Sequence, residues 1–326
     1  MNVLETPRLV LRRLADADAP FILELTNDPD FLKNIGDRGV RSLDDAVRYI
    51  RNGPMAMYDR HGFGLFKVEL KGTGEPIGMC GLLKRDVLPD VDIGYAFLPG
   101  FRRQGYAGES AAATLAYARD TLAIPRVAAI VSPGNLDSIR LLAKLGMAFD
   151  RPVRLAPDDE EIDLFGPCAG GPVHPNATLI DTFYRAFQRR DHATMAACYA
   201  PDASFQDPVF TLEGAAVGAM WRMLCERGKD LRIEYGQIEA DDAAGSAAWS
   251  AWYTFSGTER PVHNQIRATF AFRNGRIVRH TDRFDLYRWA AQALGLRGML
   301  LGWTPLVQGA IRRNAAKALA RFTAAR

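Results

Sequence analysis

The stretch from Phe97 to Gly108, FLPGFRRQGYAG, combines glycines and arginines at a point where a predicted strand ends and a predicted helix begins. Glycines at such a turn let backbone N–H groups point at an anion, and the helix dipole adds favourable potential. A pyrophosphate is the natural occupant, and Arg102 or Arg103 can add positive charge beside it. The stretch lacks the GK[ST] of a P-loop and the three-glycine spacing of a dinucleotide fingerprint, so the residue types alone leave CoA and a nucleotide open.

The elements that must position this stretch alternate between strands and helices. Strands are predicted at residues 8–14, 64–70, 77–83, 91–98 and 126–131. Helices are predicted at residues 42–51, 109–122 and 136–145. The first of these helices opens with Ser42 and an acidic first turn, and the last ends at Gly146. The Phe97 to Gly108 stretch therefore connects a strand to a helix, as an anion-binding turn requires.

After a segment rich in glycine and proline at residues 166–172, the order of elements changes. One helix with the spacing of a buried face is predicted at residues 177–189. Strands then follow in a row at residues 231–238, 247–255, 262–272 and 277–284. Asn274 and Gly275 lie between the last two strands as a two-residue hairpin turn. A helix first and a meandering sheet second indicate a separate α+β domain.

These patterns predict a two-domain α+β protein. We expect the first domain at residues 1–166, a linker at 167–176, a second domain at 177–290 and a basic amphipathic helical tail at 291–326. The tail has an apolar stripe from Val307 to Phe322, and no acidic residue follows Asp285. Such a helix can lie on an anionic membrane or on RNA, but we expect its apolar stripe to pack on the parent domain or on a partner.

Composition excludes several classes of protein. Hydrophobic residues make up 48% of the 326 residues, well above the range of disordered chains, and the net charge of +3 argues against a dedicated nucleic-acid binder. The four cysteines contain no CxxC pair, which excludes the familiar zinc patterns, so we expect reduced thiols and no metal. The charged N-terminal segment does not suit a signal peptide, and no apolar run is long enough to span a membrane. A cytoplasmic protein without a membrane span is therefore expected.

Two motifs resemble the signatures of the GCN5-related N-acetyltransferase (GNAT) family. RxxGxA at residues 102–107 resembles the family's R/Q-x-x-G-x-G/A motif, and NxxS at residues 135–138, followed by LLAKLGMAF, resembles its second signature. The segments TPRLVLRRL and PIGMCGL are similar to the subgroup of ribosomal-protein-alanine acetyltransferases. Arg103, where many members have glycine, and MAF in place of the usual Gly-Phe are departures from the pattern. The resemblance spans about 165 residues and implies a mixed central sheet flanked by helices.

The resemblance implies that acetyl-CoA is the acetyl donor. The backbone of the loop after Arg102 would hold the pyrophosphate, and this loop consists of Arg103, Gln104, Gly105, Tyr106, Ala107 and Gly108. The Phe97 backbone would contact the pantetheine, and Asn135 would contact the CoA arm. Asn135 equally suits a turn or a helix N-cap, because asparagine favours both.

The reaction that the resemblance implies is direct attack of a primary amine on the thioester. Asp92, in the strand before the loop, is the best-placed base, directly or through water. Ser138 would protonate or hydrogen-bond the leaving thiolate, and Tyr95 is the second choice for that role. Asp92 could instead be a solvated strand residue or an anchor for the substrate amine, and Ser138 could simply cap its helix.

Residues 176–290 resemble the nuclear transport factor 2-like superfamily, in particular its SnoaL-like members. The resemblance rests on FYRAF at residues 183–187, YAPDASFQDP at residues 199–208 and GRIVRHTDRFD at residues 275–285. It implies a curved antiparallel sheet that forms, with helices, a cone with an apolar pocket. Some members are isomerases, cyclases or hydrolases, and many are binding or dimerising modules. A homodimer through this domain is therefore one expectation.

If the strand faces line the cone, Asp207, His280 and Asp282 form an acid/base cluster, with Trp249 beside it. Apolar surroundings would raise the pKa of a carboxyl group, as general acid/base work at neutral pH requires. The alternative is that these residues hydrogen-bond one another and hold the strands in register. A shared fold does not by itself carry activity, so both interpretations stay open.

The sequence therefore predicts an acetyl-CoA-dependent N-acetyltransferase fused to an accessory domain that binds a ligand or forms a dimer. The acceptor is a primary amine, either a protein N-terminus or a small molecule. The segment around residues 25–65, which would build the acceptor groove, carries no recognisable code. Two alternatives stay open: a C-terminal isomerase or cyclase, and a non-catalytic protein that binds CoA or another small ligand.

Overall fold

The computed structural model describes residues 2–168 and 174–324. The chain divides into two compact units, Met1–Val173 and His174–Arg326. Residues 169–173 of the expected linker lie outside the described residues. The same holds for the first residue of the expected N-terminal domain and for the last two of the expected tail.

The N-terminal unit, in its described residues, contains an eight-stranded sheet. Its strands are β1 (Asn2–Glu5), β2 (Leu9–Arg13), β3 (Leu65–Leu70), β4 (Pro76–Leu83), β5 (Val91–Phe97), β6 (Val127–Val131), β7 (Met147–Val153) and β8 (Ile162–Pro167). Its α-helices are α1 (Ala19–Thr26), α2 (Pro29–Asn34), α3 (Leu43–Ile50), α4 (Ala56–His61), α5 (Tyr106–Asp120) and α6 (Leu136–Lys144). A π-helical turn at Arg51–Met55 joins α3 to α4, and a 3-10 turn at Pro99–Phe101 follows β5.

The strands of this sheet lie in the order β1-β2-β3-β4-β5-β6-β8-β7. Only β5 and β6 are parallel neighbours, and they are paired at just two places, Val91 with Val127 and Asp92 with Ala128. From residue 129 onward β6 pairs with β8, and β5 continues along β4. The sheet is therefore open between β5 and β6 beyond Asp92.

Different helices cover the two faces of the sheet. On one face, α1, α2 and α3 form a buried cluster with Met79 of β4. On the other face α5 packs on β4 and β5, and the Cys80 Sγ lies 3.5 Å from the Thr114 Oγ1. Tyr95 pairs with Cys80 and shares its face, toward α5. Because side chains alternate along a strand, Asp92 faces the side of α1 to α3.

The predicted elements of this unit are present, with small shifts at their ends. α5 begins at Tyr106 rather than at residue 109, because Gly105 is the N-cap in a left-handed conformation with φ of +84°. The helices α1, α2 and α4 and the strands β1 and β7 have no counterpart among the predicted elements, and α2 and α4 have only six residues each. Helices this short complete less than two turns, so they leave little periodic signal.

The C-terminal unit, in its described residues, contains a six-stranded sheet in the order β10-β9-β14-β13-β12-β11. Its strands are β9 (Tyr199–Gln206), β10 (Thr211–Glu213), β11 (Arg232–Ala240), β12 (Ala244–Phe255), β13 (Arg260–Arg273) and β14 (Arg276–Arg283). Its helices are α7 (Pro175–Gln188), α8 (His192–Ala197), α9 (Ala215–Arg227), α10 (Leu286–Leu294), α11 (Leu296–Leu301) and α12 (Pro305–Ala324). The pairs are antiparallel except for β9 and β14, which are parallel.

The hairpin predicted at Asn274 and Gly275 is confirmed. The two residues have φ of +53° and +67°, and they follow Arg273, which pairs with Arg276 across the turn. Positive φ at both central residues is the type I′ geometry that matches the twist of the flanking strands.

The core of the C-terminal unit is aromatic and surrounds His280. The rings of Phe183, Phe205 and Trp221 lie 5.6, 5.1 and 5.8 Å from the His280 ring, and the imidazole is fully buried. These rings come from α7, β9 and α9, so they join the helices to the sheet. The imidazole of His280 is therefore part of a closely packed aromatic core.

Candidate active site and relatives

The loop between β5 and α5 offers backbone N–H groups. Arg103 and Gly105 have φ of +61° and +84°, which turn the chain from the 3-10 segment into α5. No side chain caps the start of this helix of 15 residues. The first-turn N–H groups therefore have no side-chain acceptor, and they belong to Tyr106, Ala107 and Gly108. Such a helix start is a site where an anion can bind.

The positive φ of Arg103 explains why glycine suits this position, where many members of the resembled family have it. A left-handed conformation costs an ordinary residue about 1–2 kcal/mol, and glycine carries no such cost. The backbone at Arg103 thus adopts the shape for which glycine is suited.

Arg8, to which the sequence analysis assigned no site role, braces this loop. Its Nη1 donates to the carbonyl oxygen of Gln104 at 3.0 Å, and its Nε donates to Glu109 Oε2 at 2.6 Å. Its guanidinium also lies 4.5 Å from the ring centroid of Tyr106. Thr6 donates its hydroxyl to Glu109 Oε1 at 2.5 Å. Thr6 and Arg8, just before β2, therefore hold the first turn of α5 in place. These contacts join residues about 100 positions apart, so local sequence patterns do not reveal them.

Arg102 does not point at the α5 N-terminus, where the sequence placed its charge. Its guanidinium forms ion pairs with Asp28 and with Asp30, the latter at 2.5 Å. Its Nε donates to the carbonyl oxygen of Phe97 at 2.9 Å. The cation is thus engaged by two carboxylates at the start of α2, and it ties the loop to that helix. Arg103 is the freer of the two, with a side chain that is 82% exposed and only 3.5 Å from one oxygen of Asp137.

The open edge of β5 exposes backbone groups at Phe97 and Tyr95. The Leu98 N–H donates to the carbonyl oxygen of Ile77 at 2.9 Å, so Leu98 belongs to a hydrogen-bonded pair of the antiparallel ladder. Such pairs alternate along the strand, so the N–H and C=O of Phe97 and Tyr95 point away from β4. These backbone groups point toward the opening beside β6, where the carbonyl oxygen of Phe97 accepts a hydrogen bond from Arg102.

Tyr95 and Ser138 are brought together beside this opening. The Tyr95 hydroxyl lies 2.7 Å from the Ser138 Oγ. Burial raises the pKa of the Tyr95 phenol above its ordinary value, so the hydroxyl is protonated at neutral pH. Asn135 is the N-cap of α6, because its side chain accepts from the Ser138 N–H at 3.2 Å. The alternative that Ser138 caps its own helix is therefore wrong.

Asp92 does not join the Tyr95 and Ser138 pair. Its carboxylate accepts from Arg85 Nε at 3.0 and 3.2 Å, and it is only 1% exposed, on the opposite face of β5. The alternative that it is a solvated strand residue is therefore wrong. Burial raises the pKa of Asp92, and the neighbouring Arg85 opposes that rise. Arg85 follows β4 in an irregular segment whose sequence gave no hint of this contact.

In the C-terminal unit, His280 and Asp282 are bonded as predicted on one strand face. The His280 Nε2 lies 3.0 Å from Asp282 Oδ1, and the His280 Nδ1 lies 2.6 Å from the Tyr199 hydroxyl. Trp221 donates its indole N–H to Tyr199 at 3.0 Å, and Trp249 donates to Asp282 Oδ1 at 3.3 Å. Both nitrogens of the imidazole therefore have partners. Tyr199, at the first position of β9, completes this chain of bonds but was not among the predicted site residues.

Asp207 lies apart from that chain. Its Oδ1 accepts from the backbone N–H groups of Val209 and Phe210, which makes a local turn, and it has no hydrogen bond to His280 or Asp282. Burial raises its pKa to about 6. The predicted cluster of three is thus a bonded pair with a separate carboxyl group nearby. A groove of about 670 Å³ lies on the outer face of the sheet, lined by residues that include Ser250, Gln265, Arg267 and Arg283.

Two further observations concern metal ligands and membrane spans among the described residues. Within residues 2–168 and 174–324, no three His, Cys, Asp or Glu side chains are grouped as metal ligands would be. Among the same residues, no helix has the length and apolar character needed to cross a bilayer.

Comparison with known proteins matches the two units to two domain families. The acetyltransferase (GNAT) domain model matches residues 8–148, and the SnoaL-like domain model matches residues 180–280. The uncharacterized protein YkkB of Bacillus subtilis is 32% identical over 155 residues, which are 46% of this chain and 88% of YkkB. The uncharacterized N-acetyltransferase YoaA of the same organism is 29% identical over 145 residues, which are 44% of this chain and 81% of YoaA.

One similar solved structure is an acetyltransferase from Agrobacterium tumefaciens. It is 30% identical, covers 51% of this chain and 94% of its own, and has a TM-score of 0.44. Placement in the ribosomal-protein-alanine acetyltransferase subgroup stays a prediction. Through its N-terminal unit the chain belongs to the GNAT family of acyltransferases, and this unit is joined to a SnoaL-like domain.

Proposed function

We propose that the N-terminal unit transfers an acetyl group from acetyl-CoA to a primary amine. The observation that carries this proposal is the uncapped start of α5 directly beside the open edge of β5. The first feature suits the pyrophosphate of CoA. The second offers unpaired backbone groups to an extended chain that carries amides, as pantetheine does. The proposal extends the family assignment to a donor and a class of acceptor.

The binding roles follow from where each group points. Pyrophosphate binding is assigned to the backbone N–H groups of residues 103–108, and the exposed Arg103 side chain can add charge there. Arg102 is assigned a positioning role, because it ties the loop to α2. The Phe97 N–H and the Asn135 Nδ2 are left for the pantetheine arm, since Asn135 uses its oxygen as the helix cap.

The Tyr95 and Ser138 pair is assigned to the leaving group. The amine nitrogen forms a bond to the thioester carbonyl carbon, the C–S bond breaks, and the sulfur leaves as a thiolate. Two hydroxyls 2.7 Å apart share one hydrogen bond, so one of their two protons is left to donate to the sulfur. This pair therefore supplies the proton that the thiolate needs.

Asp92 is assigned to the acceptor side as the base, through a water molecule, with Arg85 as its positioning partner. Asp92 is the last β5 residue paired with β6, so it stands where the sheet begins to open, about 10 Å along the strand from Tyr95. It faces α1 to α3, the side on which the acceptor segment lies. The role of an anchor for the substrate amine is the alternative that the same position supports.

The experiment is acetyl-CoA turnover with a panel of free amines and of peptides with different N-terminal residues, followed by release of the CoA thiol. We expect turnover with at least one acceptor. The double variant Tyr95→Phe, Ser138→Ala should bind CoA like the wild type and lose kcat. Tight CoA binding without turnover of any acceptor would favour the non-catalytic interpretation and contradict our proposal.

For the C-terminal unit we propose a binding or dimerising role, with the expected limits of 177–290 for the domain and 291–326 for the tail. His280 is 0% exposed, and both of its ring nitrogens are hydrogen-bonded. These observations support a structural role for the cluster rather than a catalytic role in an isomerase. His280→Gln in the full chain should lower the unfolding temperature and leave acetyl-transfer kinetics unchanged. Unchanged stability would contradict this assignment.

A further inference from the structure

The end of the C-terminal unit exposes a dense group of large apolar side chains, which we call the apolar tip, residues 296–306. Its members and their exposed fractions are Leu296 (73%), Met299 (55%), Leu300 (68%), Leu301 (52%), Trp303 (66%) and Leu306 (82%). Single exposed apolar residues are common on soluble proteins, but a contiguous patch of this kind marks an interaction site.

The apolar side chains point outward because glycine occupies the inward position at Gly298 of α11 and at its C-cap, Gly302. A Cβ placed on Gly298 would lie 1.9 Å from the carbonyl oxygen of Ala290, and one on Gly302 would lie 2.9 Å from the Ala290 Cβ. The backbone of α11 thus packs closely on α10, and the Tyr287 hydroxyl adds a bond to the carbonyl of Met299 at 3.0 Å. A helix that buried its leucines would place them against α10 and would expose its glycines. The packing therefore presents the tip to the outside.

The tip continues into a cationic surface on α12. Leu306, Arg313 and Lys317 are spaced seven and four residues apart, so they lie on one face of the helix. The opposite side of α12 packs on α9, where Leu319 is only 7% exposed. Arg313, Lys317 and Arg321, which we call the basic face, form no ion pair among the described residues. Since no acidic residue follows Asp285, nothing in this segment neutralises them.

We propose that the apolar tip and the basic face dock this protein on the surface of an anionic lipid bilayer. Leucine, methionine and tryptophan side chains favour the boundary between headgroups and acyl chains, and adjacent arginines and lysines favour anionic headgroups. The finding that no helix among the described residues can cross a bilayer fits a segment that lies on the surface. A nucleic acid would use the cations but not the exposed leucines. A second copy of the chain would bring this wholly cationic segment against itself.

The test uses the full chain with two kinds of vesicle, phosphatidylcholine alone and phosphatidylcholine with 30 mol% phosphatidylserine, in a sedimentation assay. We expect at least about tenfold stronger binding to the anionic vesicles at low salt, and a steep loss of that binding as salt rises. Two double variants separate the two surfaces: Leu300→Gln, Leu306→Gln in the tip, and Arg313→Gln, Lys317→Gln in the basic face. Each should weaken binding about tenfold or more. All four positions are exposed, so the fold should tolerate these changes.

The matched control is Arg267→Gln, Arg283→Gln, which removes the same charge from exposed positions on the outer face of the sheet. It should bind vesicles like the wild type. Binding that is equal for both vesicle types, or that survives both test variants, would overturn the proposal. So would a dimer that the tip variant converts to a monomer without any vesicle binding, since the tip would then be an interface between copies. A complex with single-stranded RNA but not with vesicles would also overturn it.

Discussion

The Tyr95 hydroxyl lies 2.7 Å from the Ser138 Oγ, and this bond joins the open edge of β5 to the first turn of α6. Either oxygen can be the donor. The pair therefore has one proton engaged internally and one free for a group that enters the opening. Loss of one hydroxyl leaves the other able to turn toward the sulfur, so the two should act as partial substitutes.

Removal of these hydroxyls should lower kcat in a non-additive way. We expect Ser138→Ala and Tyr95→Phe each to lower kcat about tenfold, and the double variant to lower it about 1,000-fold, which exceeds the roughly 100-fold loss of two independent effects and lies within the usual contribution of general acid catalysis. Steady-state kinetics of all four proteins give the coupling between the two sites. A double variant with the activity of either single variant would mean that the two hydroxyls act as one unit, which contradicts partial substitution. Unchanged kcat in the double variant would mean that neither residue serves the leaving group.

Substitution of Gly105 should weaken donor binding. The residue has φ of +84°, and a Cβ there would lie 3.2 Å from Arg8 Nη2. We expect Gly105→Ala to cost about 1–2 kcal/mol in stability and to raise the KM for acetyl-CoA, because the strained cap moves the N–H groups of α5. Gly100→Ala is the matched control, since a Cβ at Gly100 meets nothing within 4 Å. Equal KM values for the two variants would argue against the loop as the pyrophosphate site.

Loss of Arg102 should affect stability as well as binding. Its partner Asp28 has a side chain that is only 6% exposed, so the carboxylate would lose its cation in a largely buried place. We expect Arg102→Ala to lower the free energy of unfolding by about 1–3 kcal/mol, because the Asp28 carboxylate keeps its two backbone N–H donors but loses its charged partner. Chemical denaturation measures this. Arg103→Ala should leave stability nearly unchanged and should raise the KM for acetyl-CoA instead.

The acid limb of the pH profile should report on Asp92. Burial raises its pKa above the ordinary carboxyl range, and a base must be deprotonated to act, so kcat/KM should rise with pH through that raised pKa. Asp92→Asn should remove this limb and lower kcat. A limb that survives the substitution would assign the base to another group. Retained kcat with a raised acceptor KM would favour the anchor role.

Asp207 should give the C-terminal unit a pH-dependent stability. Burial raises its pKa from 3.8 to about 6, so between these values the folded protein holds a proton that the unfolded chain has released. Stability from this group is therefore complete below about pH 3.8 and is lost as pH rises through about 6, by at most about 3 kcal/mol. Asp207→Asn should flatten the difference in unfolding temperature between pH 4 and pH 7. The same pH dependence in wild type and variant would contradict this origin.

The parts of the fold that the sequence predicted are those with local causes. α5 follows from an alanine-rich run behind a glycine turn, and the hairpin at Asn274 and Gly275 follows from the φ angles that these residues accept. The GNAT motifs predicted the family because they combine spacing with order along the chain. Local pattern therefore predicted the strand, the loop and the helix that frame the proposed site, β5 and α5 with the turn between them.

The parts that escaped prediction depend on long-range contacts. Arg102 meets Asp28 across 74 residues, and Arg8 meets Glu109 across 101 residues. The residues next to Arg102 and Arg8 in the sequence do not indicate these distant partners. The sequence therefore favoured the pyrophosphate as the partner of Arg102. Likewise, the sequence placed Asp92 in a strand but could not tell which helices cover the face on which it lies. Tertiary packing decided each of these cases.

The opening between β5 and β6 also determines how the N-terminal unit fluctuates. Only two residue pairs link the strands β1 to β5 with the strands β6 to β8, so the second group is free to open locally while the first group keeps its ladder intact. Amide hydrogens of β6 and β8 should therefore exchange with deuterium sooner than those of β3 and β4. A donor bound in the opening bridges the two groups, so it should slow that exchange and make the unit unfold as a single cooperative body.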